Sequence, residues 1–321
     1  MNAAVVEEWG RPPVYKVHPE PRPGNGAVLA TVEASALTNL TRSVAMGQHY
    51  TSKGLRPPVI PGVDGVVRLP GGSRAYVTAL GASGLFAERA AVNPQSAVPV
   101  PDDVDSVTAA ALPNPGVSAW VSLEHAAAVS PGDHVLILGA TGVTGAAATQ
   151  LAKSVFGAGR VVVAGRNTER LAWLRSVGAD EAVTLDRLGE VVSAEHAKRP
   201  FDAVIDYLWG PPAETTLTAL TSLGVNRYHP TRFVQVGSMA GETVALSAAV
   251  LRSTGITLRG VGFGSVPPVV MARARSEGLS RMFAMVAAGG LQLPTRTVPL
   301  ADIEQAWTAP ETPGVRTVVT P

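Results

Sequence analysis

Cysteine is absent from the 321 residues. Disulfides, thiolate zinc sites and cysteine nucleophiles are excluded together. An excess of one charge is also missing: 26 Lys and Arg against 25 Asp and Glu leave a net charge of +1. No broad field therefore points to nucleic acid or an anionic membrane as partner. No apolar run reaches bilayer length, and the N-terminus has no signal-peptide hydrophobic segment; a cytoplasmic location is expected. The histidines, His18, His49, His125, His134, His196 and His229, never stand at His-x-x-x-His spacing, so no local metal cluster is legible and none is expected. Repeats and low-complexity segments are lacking too. What is present is a hydrophobic content of 46%, ample for a buried core, in a length that fits one large domain or two ordinary ones.

The most informative stretch runs from Asp133 to Arg166. An apolar run of strand length ends at Gly139-Ala140-Thr141-Gly142-Val143-Thr144-Gly145. An alanine-rich, helix-compatible run follows, and a second apolar run ends at Gly165-Arg166-Asn167. This is the pattern of a βαβ unit with a dinucleotide fingerprint at its first turn. Ala140 stands at the usual first glycine. Gly142 would let the backbone approach a pyrophosphate, and Gly145 would let the helix pack close to the strand. Free N–H groups and a partial positive charge at the helix N-terminus would face the phosphates. Ala140, Thr141, Gly142, Val143 and Thr144 are the cofactor-binding candidates of this turn. At the end of the second strand, an NAD enzyme usually carries a carboxylate for the ribose 2′-OH, and an NADP enzyme often an arginine. Here Gly165, Arg166 and Asn167 are followed by Arg170, with no carboxylate before Glu169. Guanidinium geometry suits a phosphate, so NADPH is the expected cofactor.

Around this unit the chain changes character. Residues 1–114 read as short strands broken by prolines and turn dipeptides, which suggests a barrel-like β-rich domain. Asp102-Asp103 could serve the first helix end ahead of a run from Val104 to Ala128, interrupted at Pro113-Asn114-Pro115-Gly116. Strands are expected at Val135–Leu138, Val161–Ala164, Ala182–Leu185, Ala203–Tyr207, Phe233–Val236 and Leu258–Gly262. Helices are expected near Ala146–Phe156, Glu169–Val177 and Pro212–Leu223. The alternation implies an α/β fold with a doubly wound parallel sheet of six strands, spanning residues 115–265. Residues 266–321, with a helix over Val269–Ala288 and an inward Trp307, return to the first domain.

The order of these parts resembles the medium-chain dehydrogenase/reductase superfamily, and within it the zinc-free quinone oxidoreductase branch. The residues that carry the likeness are Gly47 and Tyr50, Pro61-Gly62-Val63-Asp64-Gly65, Asn114 to Trp120, Gly139 to Gly145 with Gln150 to Lys153, Gly178-Ala179-Asp180 and Val236-Gly237-Ser238. The resemblance implies a GroES-like β-rich catalytic domain, a Rossmann domain that binds NADPH, and a homodimer joined through the last strand of the nucleotide sheet. Zinc-dependent members carry Gly-His-Glu where this chain has Gly62-Val63-Asp64, so a metal-activated mechanism is not available from those positions. By the same match, Ser118, Tyr207, Gly237, Ser238, Gly262 and Phe263 would lie along the cofactor. Thr38 and Thr41 stand where the family commonly has Asn and Asp, facing the nicotinamide region, and with His49 they would line the substrate pocket.

Reduction of a quinone or an α,β-unsaturated carbonyl asks the protein to orient substrate against cofactor and to stabilise charge on oxygen. A proton must follow. Tyr50 is the candidate catalytic donor, with His49 beside it. Short-chain reductases share a Gly-Ala-Thr-Gly-x-x-Gly turn, but no tyrosine here has a lysine four residues on. An NADPH-dependent imine or carbonyl reductase, and a non-catalytic NADPH-binding redox sensor, would present the same fingerprint.

Overall fold

The computed structural model describes residues 1–24, 26–79, 81, 83–223 and 227–321, with the backbone alone at Tyr50. It divides into two compact units, Met1–Asn114 with Arg275–Pro321, and Pro115–Ala274. The second boundary falls after Ala274 rather than at residue 265. An ion pair of 2.9 Å between Arg273 and Glu124 lies within the second unit.

The first unit begins with β1 (Asn2–Val5), β2 (Val14–Val17), β3 (Val28–Ala36), α1 (Asn39–Ala45), β4 (Asp64–Arg68), β5 (Arg74–Thr78), β6 (Arg89–Val92), β7 (Val98–Pro99) and α2 (Ser106–Ala111). The chain then runs through α3 (Pro113–Val121), β8 (His134–Leu138), α4 (Val143–Ser154), β9 (Arg160–Gly165), α5 (Thr168–Ser176), β10 (Glu181–Thr184), α6 (Leu188–Lys198), β11 (Ala203–Asp206), α7 (Gly210–Ala219), β12 (Pro230–Gln235), α8 (Ala248–Ser253), β13 (Gly255–Gly260) and α9 (Pro268–Arg273). It closes with α10 (Leu279–Ala287), β14 (Thr295–Pro299), α11 (Ile303–Thr308) and β15 (Arg316–Thr320).

In the first unit a seven-stranded sheet has the order β14-β15-β3-β4-β5-β7, with β6 also paired to β3. Its β-branched and alanine-rich strands bury a small-residue core around Val32, Val67, Val77 and Leu85. A second cluster packs Ala3 to Val6 against Phe86, Ile303 and Trp307, so Trp307 is turned inward as expected. Asp105, not Asp102 or Asp103, caps α2: its Oδ1 accepts the Thr108 N–H at 2.9 Å. Asp102 is solvent-exposed and stands 4.0 Å from Arg74. The expected helix over Val269–Ala288 is two, α9 and α10, joined by a π turn at Ala274–Gly278.

The second unit is a six-stranded sheet of order β10-β9-β8-β11-β12-β13, parallel at every pairing. In sequence terms this is the order 3-2-1-4-5-6 of a doubly wound dinucleotide-binding sheet. Strands covered on both faces read as near-continuous apolar runs, and β8 is buried at all its residues, with only His134 polar. The core joins Leu136, Leu138, Val162, Val204 and Phe233 to Leu188 and Val192 of α6 and Leu217 of α7. The order reverses between β8 and β11, and in such sheets the crevice outside the carboxyl ends at that reversal is where ligands bind. Among the described residues, no helix is long and apolar enough to cross a membrane.

The β8–α4 corner depends on the missing side chain at Gly145. A Cβ there would lie 2.5 Å from Ala140 Cα and 2.6 Å from the Gly139 carbonyl oxygen, both main-chain atoms that cannot rotate away. Gly145→Ala is expected to destabilise the protein by about 1–3 kcal/mol, the usual cost of overpacking. Gly262→Ala, which meets nothing within 4 Å, is expected to leave urea midpoints unchanged.

Candidate functional site

The carboxyl edge of the six-stranded sheet is assembled around the β8–α4 turn. Gly139 takes φ 76°, and the N–H groups of Gly139 and Ala140 both donate to the Ala164 carbonyl at 2.9 and 3.0 Å. The turn is thereby pinned to β9. Ala140 is fully buried. Gly142 is the N-cap of α4 and no side chain caps that end, so the helix dipole and its first N–H groups are left for another acceptor. A Cβ on exposed Gly142 would meet only the Gly139 oxygen, at 3.4 Å. Thr141 sits over β9: a Cβ on Gly165 would be 2.4 Å from Thr141 Cγ2. Val143 and Thr144 form the first turn of α4, half-buried.

Beyond Gly165 the two arginines differ. Arg166 is exposed. Arg170 lies one turn into α5, whose N-cap Asn167 accepts the Arg170 N–H at 2.9 Å. The Arg170 guanidinium stacks 3.9 Å over the Trp173 ring. Its Nε and Nη2 are buried without a hydrogen-bond partner among the described residues, and burial lowers its pKa. Buried cationic donors with no acceptor are costly unless a ligand supplies one.

On the other side of the reversal, Tyr207 is buried and its hydroxyl has no partner among the described residues. Burial pushes that phenol up. The neighbouring Ser122 hydroxyl donates instead to the Ser118 carbonyl at 2.8 Å. Gly237 follows β12 so closely against β11 that a Cβ would meet the Tyr207 oxygen at 2.6 Å. Ser238 and Gly262 are exposed at the same edge. Phe263 is half exposed, so it is not a core side chain. The second unit thus gathers the fingerprint turn, Gly165 to Arg170, Tyr207, Gly237 and Gly262 at the strand ends of one sheet. His134 and His229 lie at the opposite, amino-terminal edge, with His196 packed over Phe201; burial drives His196 down to about 4.

The first unit holds the other candidates. Thr38 caps α1: its Oγ1 accepts the Thr41 N–H at 3.0 Å and lies 3.0 Å from Thr41 Oγ1. Both residues are buried, and their hydroxyls serve each other and the Ala36 carbonyl. His49 lies in the following loop, its Nδ1 2.7 Å from Thr51 Oγ1 and 3.3 Å from the Thr51 N–H, and burial lowers its pKa. Tyr50 begins a 3-10 turn at Tyr50–Ser52; its side chain lies outside the described residues. At Gly62-Val63-Asp64 the acid turns inward. Asp64 Oδ2 accepts the Tyr76 hydroxyl at 2.9 Å. Burial pushes the Asp64 carboxyl up to about 6, against the Tyr76 bond and the charges of Arg316 and Arg275. Arg316, itself buried, donates to the Leu37 carbonyl at 3.2 Å, next to the start of α1.

The zinc-binding dehydrogenase family model matches residues 143–281, which lie outside the Gly62-Val63-Asp64 segment. The quinone oxidoreductase of Lama guanicoe is 30% identical over 167 residues, 48% of this chain and 50% of that protein. The human quinone oxidoreductase is 32% identical over 167 residues, with the same shares covered. The chain spans about half the length of these curated relatives. Among solved structures, the quinone oxidoreductase from Thermus thermophilus, determined also as its complex with NADPH, is 27% identical. It covers 100% of both chains at a TM-score of 0.79. An alcohol dehydrogenase superfamily protein from Novosphingobium aromaticivorans is likewise 27% identical, covering 100% of this chain and 99% of that one at a TM-score of 0.80. With its GroES-like β-rich unit and Rossmann sheet, the chain has the fold of the medium-chain dehydrogenase/reductase superfamily. Among proteins of that fold, its sequence and structure are similar to those of quinone oxidoreductases.

The Asp64–Tyr76 bond has a testable pH signature. The folded pKa of Asp64 lies above the unfolded value of 3.8. The fold therefore holds a proton that the unfolded chain has released between those values, and this group's contribution falls as pH rises from 4 towards 6. The Tyr76 hydroxyl limits that fall by bonding the carboxylate. Tyr76→Phe is expected to cost about 1.5–3 kcal/mol at pH 8, where the acceptor is charged, and about 0.5–1.5 kcal/mol at pH 5. Urea unfolding at the two pH values measures the difference; equal losses would contradict it.

Proposed function

We propose that this chain is an NADPH-dependent reductase that delivers hydride to a quinone or an α,β-unsaturated carbonyl. One pairing at the sheet edge carries it: an uncapped glycine N-terminus on α4, and two buried, partnerless guanidinium donors on Arg170. The residues present fit a phosphorylated dinucleotide. Gly142 and the first N–H groups of α4 suit a pyrophosphate, and Arg170 with Arg166 suits a 2′-phosphate. Ser118, Tyr207, Gly237, Ser238, Gly262 and Phe263 would line the remainder. The bound nicotinamide would supply the hydride. The likeness to the quinone oxidoreductases, one of them solved with NADPH, supports the same assignment.

The chain's own work in this scheme is to orient the acceptor, exclude water and return a proton. Tyr50 is the proposed proton donor. His49, with its pKa lowered and Thr51 bonding Nδ1, would be neutral near pH 7 and keep its ring proton on Nε2, where it can donate. Thr38 and Thr41 would line the acceptor pocket through their side-chain methyls, since their hydroxyls are engaged. No metal enters the scheme. Val63 offers no lone pair where zinc-dependent relatives place histidine.

As partner we propose a second copy of the chain. β13 closes the sheet with an exposed edge, and Leu258 on it and Leu251 on α8 are exposed apolar side chains. An uncovered edge of this kind is a pairing template.

Assays with 1,2- and 1,4-quinones, enones and cyclic imines, each with NADPH and with NADH, test the activity. Turnover with quinones or enones is expected. Turnover with imines alone would move the substrate class, and tight binding without turnover would make the protein a sensor. Arg170→Ala is expected to weaken NADPH by about tenfold or more, with Arg166→Ala smaller, and NADH affected little by either. Equal losses for the two cofactors in fluorescence titration would remove the NADPH assignment. Leu258→Lys is expected to shift the protein from dimer to monomer in light scattering.

A further inference from the structure

Trp209 adopts φ 56° and ψ −164°, a backbone conformation that glycine reaches freely and other residues rarely do. Gly210 beside it has φ 58°. Strain of this kind survives only where neighbouring contacts enforce it, and here the enforcing group is the preceding carboxylate. Asp206 is fully buried at the end of β11. Its Oδ1 accepts the Leu208 N–H at 2.8 Å and the Trp209 N–H at 3.1 Å, and Oδ2 lies 3.2 Å from the latter. The Trp209 indole meets Phe233 edge-on at 6.4 Å between centroids.

The turn held in this way is a wedge. A Cβ on Gly139 would lie 3.0 Å from Leu208 Cδ2 and 3.2 Å from Tyr207 Cβ, and one on Gly237 would lie 2.6 Å from the Tyr207 oxygen. The Leu208 carbonyl accepts the Ala240 N–H at 2.7 Å. The wedge therefore stands between the strand ends of β8 and β12, at the reversal of strand order.

We propose that Asp206 is a positioning residue of the cofactor site. Its side-chain oxygen holds residues 207–210 in a turn they would otherwise leave, and this turn sets the spacing of the Gly139 and Gly237 backbones. The inference rests on the NADPH reading above. Burial pushes the Asp206 carboxyl up to about 6, with the Leu208 and Trp209 N–H groups opposing the rise. An acid retained where its charge is disfavoured is accounted for by what it holds in place.

The test combines NADPH titration by fluorescence with near-UV circular dichroism of the full chain without ligand. Asp206→Ala is expected to weaken NADPH by about tenfold or more, the loss of backbone hydrogen bonds to a charged acceptor, and to change the tryptophan bands. Asp206→Asn keeps Oδ1 for both N–H groups and is expected to stay within about threefold of the parent. Asp206→Ala combined with Trp209→Gly is expected to regain most of the affinity, because glycine takes the conformation unaided. The double variant also serves if Asp206→Ala alone does not fold. The proposal is overturned if Asp206→Ala binds like the parent, if Asp206→Asn is as weak as Asp206→Ala, or if glycine gives no rescue. A parent protein with no affinity for NADPH would sink the cofactor reading instead. In that event the unliganded tryptophan bands decide the clamp: altered in Asp206→Ala and preserved in Asp206→Asn supports it, and unaltered in both overturns it.

Discussion

At the carboxyl edge of the six-stranded sheet, the backbones of Tyr207 and Gly237 meet with no space for a Cβ on the glycine, and a Cβ on Gly139 would crowd the Leu208 and Tyr207 side chains. The close approach is possible because β8, β11 and β12 are neighbours in register, so their ends arrive together. It also brings main-chain N–H groups and the uncapped start of α4 to one surface, where side chains would otherwise intervene. Arg166 and Arg170 follow the end of β9, the first exposed and the second with buried donors that have no partner among the described residues. In the first unit the comparable constraint is the buried acid of β4, held between Tyr76 and two arginines. Polar groups sealed in this way specify one packing, because a misplaced partner leaves a charge uncompensated.

Much of this was legible in the sequence. Val135–Leu138 and Val161–Ala164 are uninterrupted apolar runs followed by glycine, as the interiors of strands covered on both faces usually read. The fingerprint between them has its meaning only in that context, and the context was there. α6 was missed because its inward stripe is Leu188, Val192 and His196; a histidine at the third position breaks the apolar period, although it is buried. β2 was missed because it is mostly exposed and flanked by prolines. Asp105 lost to Asp102-Asp103 as the helix cap because three nearby acids look alike until backbone angles choose one.

The site divides along the same line. Arg166 and Arg170 both followed from position after β9, but only tertiary packing distinguishes the exposed one from the one stacked on Trp173. The clamp by Asp206 had no sequence signal, since a left-handed residue is anticipated at glycine and Trp209 is not one. The hydroxyls of Thr38 and Thr41 read as pocket groups by position; the fold spends them on the first turn of α1, a local preference of threonine at a helix start.

The connectivity of the first unit bears on how the chain acquires its structure during synthesis. β3 pairs with β15, which follows it far along the chain: Ala36 stands opposite Val318 and Ser35 opposite Val319. The Leu37 N–H likewise donates to the Thr317 carbonyl. The nucleotide unit, Pro115–Ala274, is continuous and can assemble while translation proceeds, as domains generally do. The other unit is interrupted by it, so the Ser35–Ala36 end of β3 stays open until β15 is made, while β4 and β6 can already pair with the rest of β3. Its sheet therefore holds pairings of long sequence separation, the kind that form slowly.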